Sequence, residues 1–138
     1  QIRWCWQTCS VTVQLNHTIA HAKDPEAEAR WLCDMLGLAP PTKYPPFDVV
    51  TLDNGAQIDF LAAGDYRIEP IHYAFLVSDA EFDEIYRRIT ERGLEHWADP
   101  HKQHPGEINH HDGGRGVPHV GYRIGDHDRA RGYAAAGR

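Results

Sequence analysis

The sequence predicts an α+β domain made of two copies of one unit: a strand, a helix, then three further strands. Three observations carry that expectation. Two alternating runs, Leu15-Asn16-His17-Thr18-Ile19-Ala20-His21-Ala22 and Pro70-Ile71-His72-Tyr73-Ala74-Phe75-Leu76-Val77, each hold a histidine near their start. Each histidine stands seven residues before an aspartate, His17 before Asp24 and His72 before Asp79. Each aspartate opens a segment of helical pattern that closes on a glycine, Gly37 in one copy and Gly93 in the other. A repeat that puts a metal-capable side chain at the same point of two equivalent strands also gives the best functional clue in the chain.

The elements follow in order. From Val13 to Ala22 the period-two alternation places Leu15, His17, Ile19 and His21 on one face and Asn16, Thr18, Ala20 and Ala22 on the other. Asp24-Pro25-Glu26 then supplies a cap, a proline at the first helical position and an acid in the first turn. Trp31, Leu32, Met35 and Leu36 form the apolar stripe, and Gly37 is the stop. Pro40, Pro41, Pro45 and Pro46 leave room for a short edge strand at best. Phe47–Leu52 reads as a strand, Asn54-Gly55 as a hairpin turn and Ala56–Leu61 as the return strand. In the second copy, Asp79 to Gly93 is amphipathic, with Phe82, Ile85, Tyr86 and Ile89 at helical spacing. Glu95–Ala98 reads as a short strand. Asp99 to Gly116 is a long polar loop holding His101, His104, His110 and His111. After Val117 only a brief strand from His119 to Ile124 is expected, so the second copy lacks the first copy's closing hairpin.

Composition narrows the class. A chain of 138 residues, with 41% hydrophobic and 25% charged residues, is that of one ordinary globular domain. The formal net charge of −6 disfavours a nucleic-acid partner, whose phosphates a basic surface would have to neutralise. Cys5, Cys9 and Cys33 are an odd count without paired zinc-type spacing, which points to reduced thiols and a cytoplasmic setting. No apolar run approaches a membrane span, and Gln1-Ile2-Arg3-Trp4-Cys5-Trp6 is too polar for a signal peptide. Residues 1–12 are expected to be a disordered or artificial extension. Residues 13–124 form the domain, with repeats at about 13–64 and 68–124, and residues 125–138 form an atypical tail.

On these residues the chain resembles the vicinal oxygen chelate superfamily, which includes glyoxalase I, extradiol dioxygenases and bleomycin-resistance proteins. The motifs that carry the resemblance are Leu15-Asn16-His17-Thr18-Ile19, Ile71-His72-Tyr73-Ala74-Phe75 and Gly113-Gly114-Arg115-Gly116, within roughly Val13 to Val117. It implies two βαβββ repeats curled into a mixed sheet around a metal with open coordination positions. By similarity His17 and His72 fall on the family's histidine ligand positions. Two imidazoles and a carboxylate leave room for a bidentate oxygen ligand on Fe, Mn, Ni or Zn, whose charge would stabilise a bound catecholate or enediolate.

The family's third ligand is a glutamate on the last strand, and no glutamate follows Glu107 here. In the first copy Asp59 lies four residues after Gly55, where relatives similar to glyoxalase I also use a carboxylate, so Asp59 is the candidate carboxylate ligand. His119, Asp126 and Asp128 are the other groups that could stand in for the glutamate. The resemblance thus implies a metal-dependent lyase, isomerase or dioxygenase acting on a small oxygen-rich substrate, with His17, His72 and Asp59 as ligands and a homodimeric state. The alternatives are a metal-free binding protein of the bleomycin-resistance type, taking a small molecule such as an antibiotic, and an enzyme with an incomplete metal site. His21 is assigned no role beyond its strand, Tyr73 is read as core, and His110 and His111 as solvent-exposed loop residues.

Overall fold

The structure is a computed structural model that describes residues 13–69, 71–99, 101–119 and 122–126, the side chains of Asp112, His119 and residues 122–126 excepted. The first unit runs β1 (His17–Ala22), α1 (Pro25–Leu36), β2 (Thr42–Tyr44), β3 (Phe47–Thr51) and β4 (Gln57–Ala62). Its four strands form one mixed sheet in the order β1-β4-β3-β2. Here β1 pairs with β4 in parallel, because the helix between them carries the chain back to the same end of the sheet. The second unit runs β5 (Tyr73–Val77), α2 (Asp79–Glu91), β6 (Gly116–His119) and β7 (Tyr122–Asp126), in the order β5-β7-β6. Its first strand again pairs in parallel with its last. Among the described residues no helix is long and apolar enough to cross a membrane.

The two helices form where the caps dictate. Asp24 accepts a hydrogen bond from the Ala27 N–H at 3.0 Å, Pro25 takes the first helical position, and Gly37 ends α1 at φ +71°. In the second unit the start differs from the expectation: Ser78, not Asp79, is the cap. Its hydroxyl accepts from the Glu81 N–H while the Glu81 carboxylate accepts from the Ser78 N–H, a reciprocal box that leaves Asp79 as a first-turn acid. Arg88 of α2 reaches the end of α1, donating from Nη1 to the Met35 carbonyl at 3.1 Å and so placing a cation where that helix leaves its carbonyls free.

One face of each sheet packs on these helices. Ala20, Ala22, Val50, Ile58 and Phe60 of the first sheet close on Ala29, Leu32 and Cys33 of α1, with Tyr73 and Phe75 of β5 leaning on the same cluster. Phe82, Ile85 and Ile89 of α2 pack with Met35 and Val117. The expected stripes are therefore core, Trp31, Leu36 and Tyr86 being half-buried at their margins. Cys33 is a free, buried thiol, and burial pushes its pKa up. Cys5 and Cys9 lie outside the described residues.

Three expectations need correction. The first strand starts at His17 rather than Val13, and His72 stands just ahead of β5. Glu95–Ala98 is not a strand: Trp97 makes an isolated bridge to Pro105, and its N–H donates to the Pro118 carbonyl at 3.0 Å, a backbone tie to β6. The single strand expected at His119–Ile124 is two strands, β6 and β7, paired antiparallel, so the second copy has its closing hairpin after all. Pro118 obscures β6 in the sequence, and the structure tolerates it because β6 is at the sheet edge.

The long loop is anchored at two points. Asn109 is buried and donates to the Ala98 carbonyl at 2.6 Å, and a Cβ on the opposing Gly116 would lie 2.8 Å from its amide oxygen. Arg115 lies over the Phe82 ring at 4.5 Å and donates to Asp83 at 2.6 Å. Gly116→Ala should therefore cost about 1–3 kcal/mol through overpacking, read as a lower urea midpoint with an unchanged slope. A second expectation concerns acid. Its bonds to the Ser78 backbone N–H and hydroxyl hold the Glu81 carboxyl below its ordinary value of 4.5. That contribution is present above 4.5 and is lost as pH falls through the lower folded value, so Glu81→Gln should lower the melting temperature at neutral pH and flatten its decline between 4.5 and that lower value.

Candidate functional site

Register decides which side chains share a surface. On the β1/β4 pair His17 lies opposite Gln57, Ile19 opposite Asp59 and His21 opposite Leu61. Paired residues point to the same face, and the alternate set, Ala20, Ala22, Ile58 and Phe60, is buried against α1. His17 and Asp59 therefore share the helix-free face as diagonal neighbours, a spacing that long side chains can bridge. Val49 of β3 lies on the other side of Asp59 and is buried.

His72 occupies the matching place in the second unit. Tyr73, Phe75 and Val77 lean on the two core clusters, so the alternate positions of β5, Ala74 and Leu76, lie on the helix-free side and are exposed. His72, also exposed, stands directly before the strand. The two units meet beside the histidines: Tyr73, the residue after His72, packs against the first unit's core, where burial pushes its phenol pKa up and the side chain of Thr18, the residue after His17, opposes that shift.

The individual donors have the chemistry a divalent ion needs. His17 Nδ1 lies 2.7 Å from Asn16 Oδ1, which leaves Nε2 uncommitted. Asp59 Oδ1 is buried without a hydrogen-bond partner, a costly state for a carboxylate oxygen that an arriving cation would relieve. Yet among the described residues no three of His, Cys, Asp and Glu stand close enough together to hold an ion. Asp59 shares a face with His17, while His72 comes from the other unit.

The β5/β7 register also shows what stands in the place of the second carboxylate. Asp59 faces Ile19, two positions after His17; the corresponding partner of Ala74, two positions after His72, is Arg123. A basic residue thus occupies the sister position of Asp59. Asp126 is opposite Val77 at the far end of the strand. The His119 side chain and Asp128 lie outside the described residues. Sequence spacing missed Arg123 because the second unit's turn does not repeat Asn54-Gly55, and only strand pairing aligns the two copies there.

Two further features surround these positions. His21 lies against Tyr66, ring centroids 4.8 Å apart. Between the units a cleft of about 430 Å³ is lined by Leu36, Leu38 and Leu52 from one unit and by Phe75, Leu76 and Glu81 from the other. Ala74 and Leu76 belong to both the cleft wall and the helix-free face of β5. The four loop histidines, His101, His104, His110 and His111, are exposed and contribute to no three-donor group among the described residues.

Comparison with known proteins points one way. Residues 14–131 match the Glyoxalase/Bleomycin resistance protein/Dioxygenase superfamily, beyond the Val117 limit that the sequence motifs suggested. Among solved structures, the chain is similar to oxidase ChaP-H1, with 54% identity over 83% of this chain and 94% of that one and a TM-score of 0.78. It is similar also to oxidase ChaP-H2, with 50% identity over 84% and 93% and a TM-score of 0.78. A lactoylglutathione lyase from Agrobacterium tumefaciens, 14% identical over 84% and 95% with a TM-score of 0.62, shares the fold. A search of curated proteins finds no match.

Asp59 gives a direct test of the orphaned oxygen. Asp59→Asn removes the charge from a half-buried carboxylate whose Oδ1 has no hydrogen-bond partner and should raise the stability of the metal-free protein by about 1 kcal/mol. Thermal unfolding in the presence of a chelator reads that change, and a fall in melting temperature would show that the carboxylate already has its partner.

Proposed function

Because the chain belongs to the Glyoxalase/Bleomycin resistance protein/Dioxygenase superfamily, whose members generally use divalent metals, we propose that it is a metal-dependent enzyme acting on a small oxygen-rich substrate. The observation that carries this reading is that His17 opens β1 and His72 stands just ahead of β5, matching points of the two units, with the unpaired Asp59 oxygen on the face of His17. His17 Nε2, His72 and Asp59 would hold the ion. The similarity to two oxidases at 50% identity or more favours an oxidation over the lyase and isomerase chemistry also found in the family.

When bound, the ion would take two substrate oxygens and offset the charge that develops on them. The remaining work falls to the chain. The two imidazoles are neutral donors, so with Asp59 they leave part of the cation's charge for the substrate. Ala74 and Leu76 follow His72 along β5 into the aliphatic cleft, which gives an apolar substrate body a place beyond the coordinated oxygens. The walls supplied by Leu36, Leu38, Leu52 and Phe75 would exclude water from that body, while the acidic rim at Asp53 and Glu81 disfavours an anion at its end. A second copy of this chain is the proposed partner, since Ile19, Ile71 and Leu76 remain exposed beside these faces.

A second reading is favoured by one specific observation. The lack of a three-donor group among the described residues, with Arg123 at the sister position of Asp59, suits a metal-free protein that holds a small molecule in the cleft. Metal analysis separates the two. On the first reading the protein binds one divalent ion per chain, and His17→Ala or His72→Ala each weakens binding by 100-fold or more, of the order of 3 kcal/mol per lost ligand. Metal content below one tenth of an ion per chain after loading with Fe(II), Mn(II), Ni(II) and Zn(II) in turn would leave the binding protein as the function.

A further inference from the structure

We infer that Asn16 is a positioning residue that fixes the tautomer of His17 and presents its Nε2 to the metal; this rests on the metal site proposed above. His17 Nδ1 and Asn16 Oδ1 are 2.7 Å apart. An amide oxygen only accepts, so the ring proton sits on Nδ1 and the lone pair on Nε2. An imidazole with its second nitrogen held this way is oriented before the ion arrives, and such outer partners are worth about 10–100-fold in metal affinity.

The local geometry explains how neighbouring residues make this contact. Within a strand, residues 16 and 17 would point to opposite faces and could not meet. Asn16 precedes β1, whose first residue is His17, and its backbone is tied to the sheet only through its carbonyl, which accepts from the Gln57 N–H at 2.9 Å. The side chain is thereby free to turn back toward the imidazole. The second unit has no equivalent, because Ile71 stands where Asn16 stands and offers no acceptor. The two halves of the repeat therefore differ in how their histidines are held: His17 is preset by its neighbour, whereas the ring of His72 is left to the ion.

The test uses the full chain and Co(II) as probe, read by its visible absorption and by calorimetric titration. Asn16→Ala should weaken Co(II) binding about 10–100-fold. Asn16→Asp, which keeps an acceptor at the same place, should bind at least as tightly as the unaltered protein. Equal affinity in the unaltered protein and Asn16→Ala, with loss in His17→Ala, would overturn the role of Asn16 and leave the metal site standing. Equal weakening in Asn16→Ala and Asn16→Asp would overturn it too, by showing that the amide matters for folding of the strand entry rather than for its acceptor. If the unaltered protein takes up no Co(II), the metal reading fails and this inference with it.

Discussion

Parallel pairing of each unit's first strand with its last is the constraint on which the rest of the structure depends. A helix must cross between the two strands, and that crossover buries one face of the pair and leaves the other open. With β1 and β4 in register, every second side chain is committed: Ala20, Ala22, Ile58 and Phe60 to the core, His17, Ile19, His21 and Asp59 to the open side. A slip of one residue would bury both histidines and expose the aliphatic set, so burial of the core holds the chemistry in place.

The two units obey the same rule with different detail. In the first, an Asp24 cap, an Asn54-Gly55 turn and a carboxylate at Asp59 are all present. In the second, a Ser78–Glu81 box replaces the aspartate cap, an isolated Trp97 bridge stands where a strand pairs in the first unit, and Arg123 takes the register position of Asp59. Packing tolerates these exchanges because it depends on the helix-facing positions, where Phe82, Ile85, Ile89 and Val117 supply a second buried cluster. The helix-free positions carry no such demand, and the repeats diverge there. The two units consequently differ around their histidines: Asn16 Oδ1 lies beside the His17 ring and Asp59 shares its face, whereas Ile71 precedes His72 and Arg123 takes the sister position.

That open surface is also where the fold gives up stability. Asp59 Oδ1 is buried without a partner, Ile19 and Leu76 face outward, and among the described residues neither β1 nor β5 has a hydrogen-bonded strand on its outer edge. Each would be relieved by something that arrives: a cation at the carboxylate, a substrate in the cleft, or a second chain over the apolar residues. The helix side shows the contrary pattern, with Arg88 on the α1 carbonyls, Arg115 on Phe82 and both helix starts capped. Structural order is concentrated behind the sheets and binding capacity in front of them.

The sequence by itself determined the repeat, both helices with their apolar stripes, the Asn54-Gly55 hairpin and the matching places of His17 and His72 in the two copies. Each of these is written in local periodicity or turn chemistry, which depends only on residues a few positions apart. It misread the end of the second unit, where Pro118 interrupts the strand pattern, and it could not tell whether the face carrying His17 was core or open. Those points depend on which strand pairs with which, and in what register, over separations of forty residues and more. Only the tertiary structure aligns Asp59 with Ile19 and Arg123 with Ala74, shows that Tyr73 meets Thr18 beside the two histidines, and turns Asn16 onto His17 at the strand's entry. The physical reason is that hydrogen-bond register is a property of two distant segments at once, and no single stretch of chain contains it.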